Sequence, residues 1–87
     1  MLFDWDDGNV DKCRKHGVSV SEIEEIAAKG RVINDERHSA VEDRFLAFGV
    51  TRAGRDVAVV FTWREGKVRP ISARYMHRHE VVKHERP

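Results

Sequence analysis

Between residues 57 and 64 the large apolar side chains fall on odd positions, Val57, Val59, Phe61 and Trp63, the two-residue period of a strand with one buried face. Ile71, Ala73 and Tyr75 repeat that alternation in the next segment, and Leu46, Phe48 and Val50 in the preceding one. Residues 42 to 76 therefore predict an antiparallel sheet. Its first hairpin turns at residues 51–54 and aligns Leu46, Phe48 and Val50 with Val57, Val59 and Phe61. For the second, a two-residue Glu65-Gly66 turn in regular register would place Arg74 and Ser72 beside Val57 and Val59, inside the core. A three-residue loop with Gly66 left-handed aligns Val59 and Phe61 with Arg69 and Ile71 instead, and is the register expected here. It leaves Thr62, Ser72 and Arg74 together on the opposite face, with Arg64 at the rim. Pro70 lacks a ladder donor, so this strand is expected at an edge, or with its missing donor facing outward.

Upstream, residues 2–5 alternate as a short strand with Phe3 and Trp5 on one face. Asp6 or Asp7 then caps a helix to about His16, with Gly17 as its left-handed stop. A second helix is better marked. Ser19 and Glu22 stand at capping-box spacing, Val18 can staple onto Ile23, and Val20, Ile23, Ile26 and Ala27 form an apolar stripe closed by Lys29-Gly30. Residues 31–33 add a short strand, and a charged helix begins at about His77. The fold class is α+β: a strongly twisted antiparallel sheet with N-terminal helices and a short C-terminal helix.

With 87 residues, 40% hydrophobic and 36% charged, the chain fits one domain, residues 1–87, with one modest core. No apolar run reaches membrane-spanning length. Asp4, Asp6 and Asp7 carry the wrong charge for a secretory signal, and Cys13 has no disulfide partner; a cytoplasmic protein is expected. The net charge of +1 hides an asymmetry: residues 1–43 hold 6 Lys+Arg against 11 Asp+Glu, whereas residues 44–87 hold 10 against 4. Arginines on rigid strands in a basic half point to an anionic partner, with nucleic acid first.

Phe3-Asp4-Trp5-Asp6, Lys15-His16-Gly17-Val18, His38-Ser39 with Glu42 and Arg44, Thr62-x-Arg64 and Arg69-x-Ile71-Ser72-Ala73-Arg74 together resemble the BrnT family, toxins of bacterial type II toxin–antitoxin systems. The resemblance covers nearly the whole chain. It implies a RelE-like ribonuclease fold, RNA cleavage that stops translation, a cognate antitoxin, and operator DNA bound through the antitoxin complex.

Metal-free RNA cleavage needs a base for the ribose 2′-OH, an acid for the leaving 5′-oxygen and cations at the phosphorane. Arg64 and Arg74 are the leading candidates for the cations, because guanidinium stays charged and grips two phosphate oxygens. A structural ion pair of Arg74 with Glu42 is the competing reading. His38, Glu42 and Lys15 are candidates for proton transfer; His16, beside a helix C-terminus, is better explained as a favourable end charge. Arg44, Arg69, Ser72 and Thr62 are expected to contact substrate. Trp63 and Tyr75 share the core parity, so they suit packing better than base stacking. His77, His79 and His84 do not have metal-site spacing, and neither metal nor other cofactor is expected. A noncatalytic basic-faced binding module is the alternative, and a degraded toxin kept for its regulatory complex a third.

Overall fold

The structure, a computed structural model, describes residues 1–35 and 42–77. Two helices, α1 (Val10–Arg14) and α2 (Val20–Lys29), precede four strands: β1 (Arg31–Asn34), β2 (Phe45–Val50), β3 (Asp56–Arg64) and β4 (Lys67–Tyr75). The strands form one antiparallel sheet in the order β1-β2-β3-β4. Residues 78–87, where the C-terminal helix is expected, lie outside the described residues. Among the described residues no helix is long and apolar enough to cross a membrane.

The capping box of α2 is present: Ser19 Oγ accepts from Glu22 N at 3.2 Å while Glu22 Oε1 reaches back to Ser19 N. Gly17 has the expected left-handed conformation, φ +88°, but the first helix ends at Arg14 with Lys15 as its cap, not at Gly17. That helix itself is shorter than its sequence suggests. Asp6 does not cap it; its carboxylate accepts from Gly8 N at 2.8 Å, and α1 begins only after Asn9.

Helices and sheet share one core. Cys13, Val18, Ile23, Ile26 and Ala27 pack on Ala47, Val57, Val59, Phe61, Val68 and Ala73. The strand of Phe3 and Trp5 reduces to a parallel bridge, with Asp4 N donating to Val68 O (2.8 Å) and Val68 N to Leu2 O (2.9 Å). Both aromatics pack against the core, and this segment covers the outer edge of β4.

Two registers differ from expectation. Phe45, Ala47 and Gly49, not Leu46, Phe48 and Val50, stand opposite Phe61, Val59 and Val57. Ala47 is the fully buried member, and the larger Leu46 and Phe48 take the other face; side-chain size misidentified the core parity. The β3–β4 turn is the two-residue Glu65-Gly66, with φ +53° and +77° and Arg64 paired to Lys67. The conflict that a two-residue turn creates is resolved by a bulge. Phe61 pairs with Pro70 but Val60 with Ser72, so Ile71 is the extra residue. Beyond it Ala73 and Tyr75 return to Val59 and Val57 on the core face, and Ser72 and Arg74 join Thr62 on the back face.

Candidate functional site

The sheet face away from the helices carries the cationic candidates. Register places Arg31, Phe48, Ala58 and Arg74 in one row across the strands and Ile33, Leu46, Val60 and Ser72 in the next. The apolar middle is closed: Phe48 and Ala58 are buried, and the Arg31 guanidinium lies 6.0 Å from the Phe48 ring centroid. Charge is therefore concentrated around this middle rather than spread over it.

Arg74 is exposed and sits opposite Ala58, whereas Arg64 is exposed at the far end of β3. Six residue steps run from Ala58 to Arg64, about 20 Å between Cα positions at strand rise. Side chains standing straight off the sheet at that spacing meet different phosphates. Arg64 belongs instead with Lys67 and Arg69 around the β3–β4 turn.

Arg69 is engaged internally. Its Nη1 donates to Asp4 Oδ2 (3.2 Å) and Asp6 Oδ2 (3.0 Å), and its Nη2 to Asp6 Oδ1 (3.0 Å). The hydrogen bonds from Arg69, with the Gly8 amide and the charge of Arg64, hold the Asp6 carboxyl below the usual range against the opposing effect of burial. The same pairing raises the Arg69 guanidinium. Thr62 is buried, and its hydroxyl donates to Asp43 O at 2.8 Å, fastening the entry of β2. Glu42 and Arg44 lie 4.0 Å apart at closest approach. His38 lies outside the described residues.

At the other end of β4, Lys15 and His16 are exposed in the turn before α2, and the Gly17 carbonyl comes within 3.4 Å of Tyr75 Oη. The Tyr75 side chain, on the core face, thus ties this turn to the end of β4, while Arg74 stands on the opposite face of that strand. Arg55, Tyr75 and Glu22 form a network there, of which Arg55 carried no signal in the sequence. Arg55 Nη1 donates to Tyr75 Oη (2.8 Å), with its guanidinium 4.6 Å from the ring centroid, and Tyr75 Oη donates to Glu22 Oε1 (2.9 Å). Burial works against the Glu22 carboxylate, but hydrogen bonds from Tyr75 and Ser19 and the charge of Arg55 outweigh it and lower its pKa. The capping box marked Glu22; nothing local in the sequence marked its long-range partners. Burial pushes the Cys13 thiol up to about 11, which keeps it protonated and unreactive at neutral pH. Among the described residues no group of His, Cys, Asp and Glu converges as a metal site.

The family model for BrnT, the ribonuclease toxin of type II toxin–antitoxin systems, matches residues 5–80. The chain belongs to the BrnT family. No curated protein and no solved structure gives a significant match. Membership makes this chain a ribonuclease toxin of a type II system, and such a system includes a cognate antitoxin. The match runs from Trp5 through both sheet ends described above, so it spans the turn at residues 15–17, Arg64 and Arg74 alike.

Proposed function

We propose that this BrnT-family chain is a metal-independent endoribonuclease of RelE-like fold, residues 1–87 acting as one domain in the cytoplasm. It cleaves RNA, stops translation and is silenced by its antitoxin; operator DNA is bound through the toxin–antitoxin complex. The observation that carries this reading is the exposed Arg74 on the back face, with Ser72 two residues along the same strand on the same face.

In this mechanism the ribose 2′-oxygen attacks phosphorus, a base takes its proton, and the P–O5′ bond breaks as an acid protonates the leaving oxygen. The products are a 2′,3′-cyclic phosphate and a 5′-hydroxyl. Arg74 holds the phosphorane oxygens, where negative charge accumulates, and Ser72 positions the phosphate. Lys15, Glu42 and His38 are the candidates for proton transfer. Arg64 and Arg44 contact the RNA backbone away from the scissile bond. Arg69 and Thr62 serve by position: Arg69 fixes the acidic N-terminal segment, and Thr62 fixes the start of β2.

Induced expression in a bacterial host tests the reading, with wild type beside Arg74→Ala and the ends of total RNA mapped. Growth arrest with new 5′-hydroxyl ends, both abolished by a folded Arg74→Ala protein, is the expected outcome. A soluble, folded wild type that binds RNA without generating new ends would replace it with a noncatalytic binding module.

A further inference from the structure

The sheet has two outer edges, and the chain treats them differently. The outer edge of β4 is covered by the N-terminal segment through Val68. The outer edge of β1 belongs to a strand exposed at all four residues, with Val32 at 49% and Ile33 at 45% exposure. Among the described residues no strand pairs with that edge, and such an edge offers main-chain donors and acceptors as a template for another strand.

Alternation fixes which groups point outward. Asp35 N donates inward, to Arg44 O at 2.9 Å. Residues two apart along an antiparallel strand point their main-chain groups the same way, so Ile33 and Arg31 also face β2, and Val32 and Asn34 face out. A second strand can bond this edge only where its own outward residues meet Val32 and Asn34. For another copy of β1, three antiparallel registers satisfy that condition. In one of them Val32 meets Asn34 of the second copy, Ile33 lies opposite itself on the two-fold axis, and Arg31 faces Asp35 at both ends. The register centred on Val32 puts Arg31 opposite Ile33, and the one centred on Asn34 puts Ile33 opposite Asp35. The residues of this strand are thus charge-complementary to themselves in a single pairing.

We infer that β1 pairs antiparallel with β1 of a second copy, Ile33 on the axis, making one eight-stranded sheet and joining the two back faces. This does not rest on the ribonuclease reading. Such pairing is isologous, so it closes at two copies. It spans about five residues, a small contact, so association is weak and shows at high protein concentration.

Ile33→Cys tests the axis, because a non-hydrogen-bonded antiparallel pair brings its side chains closest. Under mild oxidation this variant should form an intermolecular disulfide at least ten times faster than Val50→Cys, an exposed thiol elsewhere. Wild type, with only the buried Cys13, serves as background. Sedimentation over rising concentration tests the rest. Wild type should approach dimer mass; Val32→Pro, which removes an outward donor and leaves the β1–β2 ladder intact, should remain monomeric with an unchanged circular dichroism spectrum. Arg31→Asp should weaken association about tenfold, and Arg31→Asp with Asp35→Arg should restore it. A wild type monomeric throughout overturns the inference, as does Ile33→Cys reacting no faster than Val50→Cys. Self-association indifferent to Val32→Pro and charge reversal also overturns it, by placing the contact on another surface.

Discussion

Arg69 Nη1 and Nη2 each donate at 3.0 Å to a different oxygen of Asp6, joining residues 63 positions apart in a forked ion pair. Its consequence is a defined acid sensitivity. Asp6 has a lowered folded-state pKa, so the stability it contributes is present above its unfolded value near 4 and is lost as pH falls through the folded value. Thermal midpoints measured from about pH 6 down to about pH 2 should fall less steeply for Asp6→Asn than for wild type. Equal slopes would mean that Asp6 is not coupled to folding.

Asn9 closes the same region from inside. Its Nδ2 donates to Asp4 O and to Pro70 O, each at 2.9 Å, and its Oδ1 accepts from Asp6 N at 2.8 Å, with only 3% of the residue exposed. Truncation removes the partner of three backbone groups, one buried (Pro70 O) and two partly buried (Asp4 O and Asp6 N). Asn9→Ala should therefore cost about 2 kcal/mol, lowering the thermal midpoint by roughly 10 °C. Urea unfolding provides the free energy; a loss near zero would show that water satisfies these groups.

Glu65 has φ +53° at the first position of the two-residue turn, a conformation that a glutamate occupies at a cost. Asn-Gly is the preferred pair for a hairpin turn with both residues left-handed. Glu65→Asn should raise stability by about 0.5–1 kcal/mol, seen as a higher urea midpoint with the slope unchanged. A lower midpoint would argue that the glutamate side chain makes a compensating contact.

The bulge predicts an asymmetry between deletions on facing strands. Ile71 is the extra residue, so its removal leaves Ser72, Ala73 and Tyr75 opposite the partners they already have. That variant should keep a cooperative transition and lose about 2 kcal/mol, mainly from the burial of the isoleucine side chain. Deleting Val60 instead reverses the faces of one end of β3, carrying Ala58 or Val59 across the sheet, and should abolish the transition. Circular dichroism melts of the two deletions decide the matter.

These particulars show why some of the molecule was legible in sequence and some was not. The second helix, its Ser19–Glu22 cap and the left-handed Gly17 are local signals, and local geometry follows them. The strands of β3 and β4 were legible from alternation. Their pairing was not, because a single regular register forces a choice between a two-residue turn and a consistent core, and only a bulge reconciles them. The outcome for Thr62, Ser72 and Arg74 survived that error, since the expected loop and the observed bulge shift the faces by the same parity. For β2 the larger side chains, Leu46 and Phe48, drew the core assignment, yet Ala47 is the fully buried residue of that strand, within the core cluster. The internal engagement of Arg69 depends on carboxylates more than sixty positions away, which no window of sequence brings together.

The separation of Arg64 from Arg74 distinguishes two kinds of cationic contact. About 20 Å apart along the sheet, they meet different phosphates of a bound strand. Removing either should reduce the dependence of log affinity on log salt by about 0.7, one single-strand phosphate, and the two effects should add in the double variant. Cleavage should not behave this way. Arg74→Ala should abolish it at saturating RNA, whereas Arg64→Ala should weaken binding and leave the saturated rate within about threefold, since a remote contact contributes equally to ground and transition states. Filter binding at several salt concentrations and single-turnover cleavage at saturation measure the two separately. If Arg64→Ala abolished the saturated rate as completely as Arg74→Ala, the reacting phosphate would have to be placed at the β3–β4 turn.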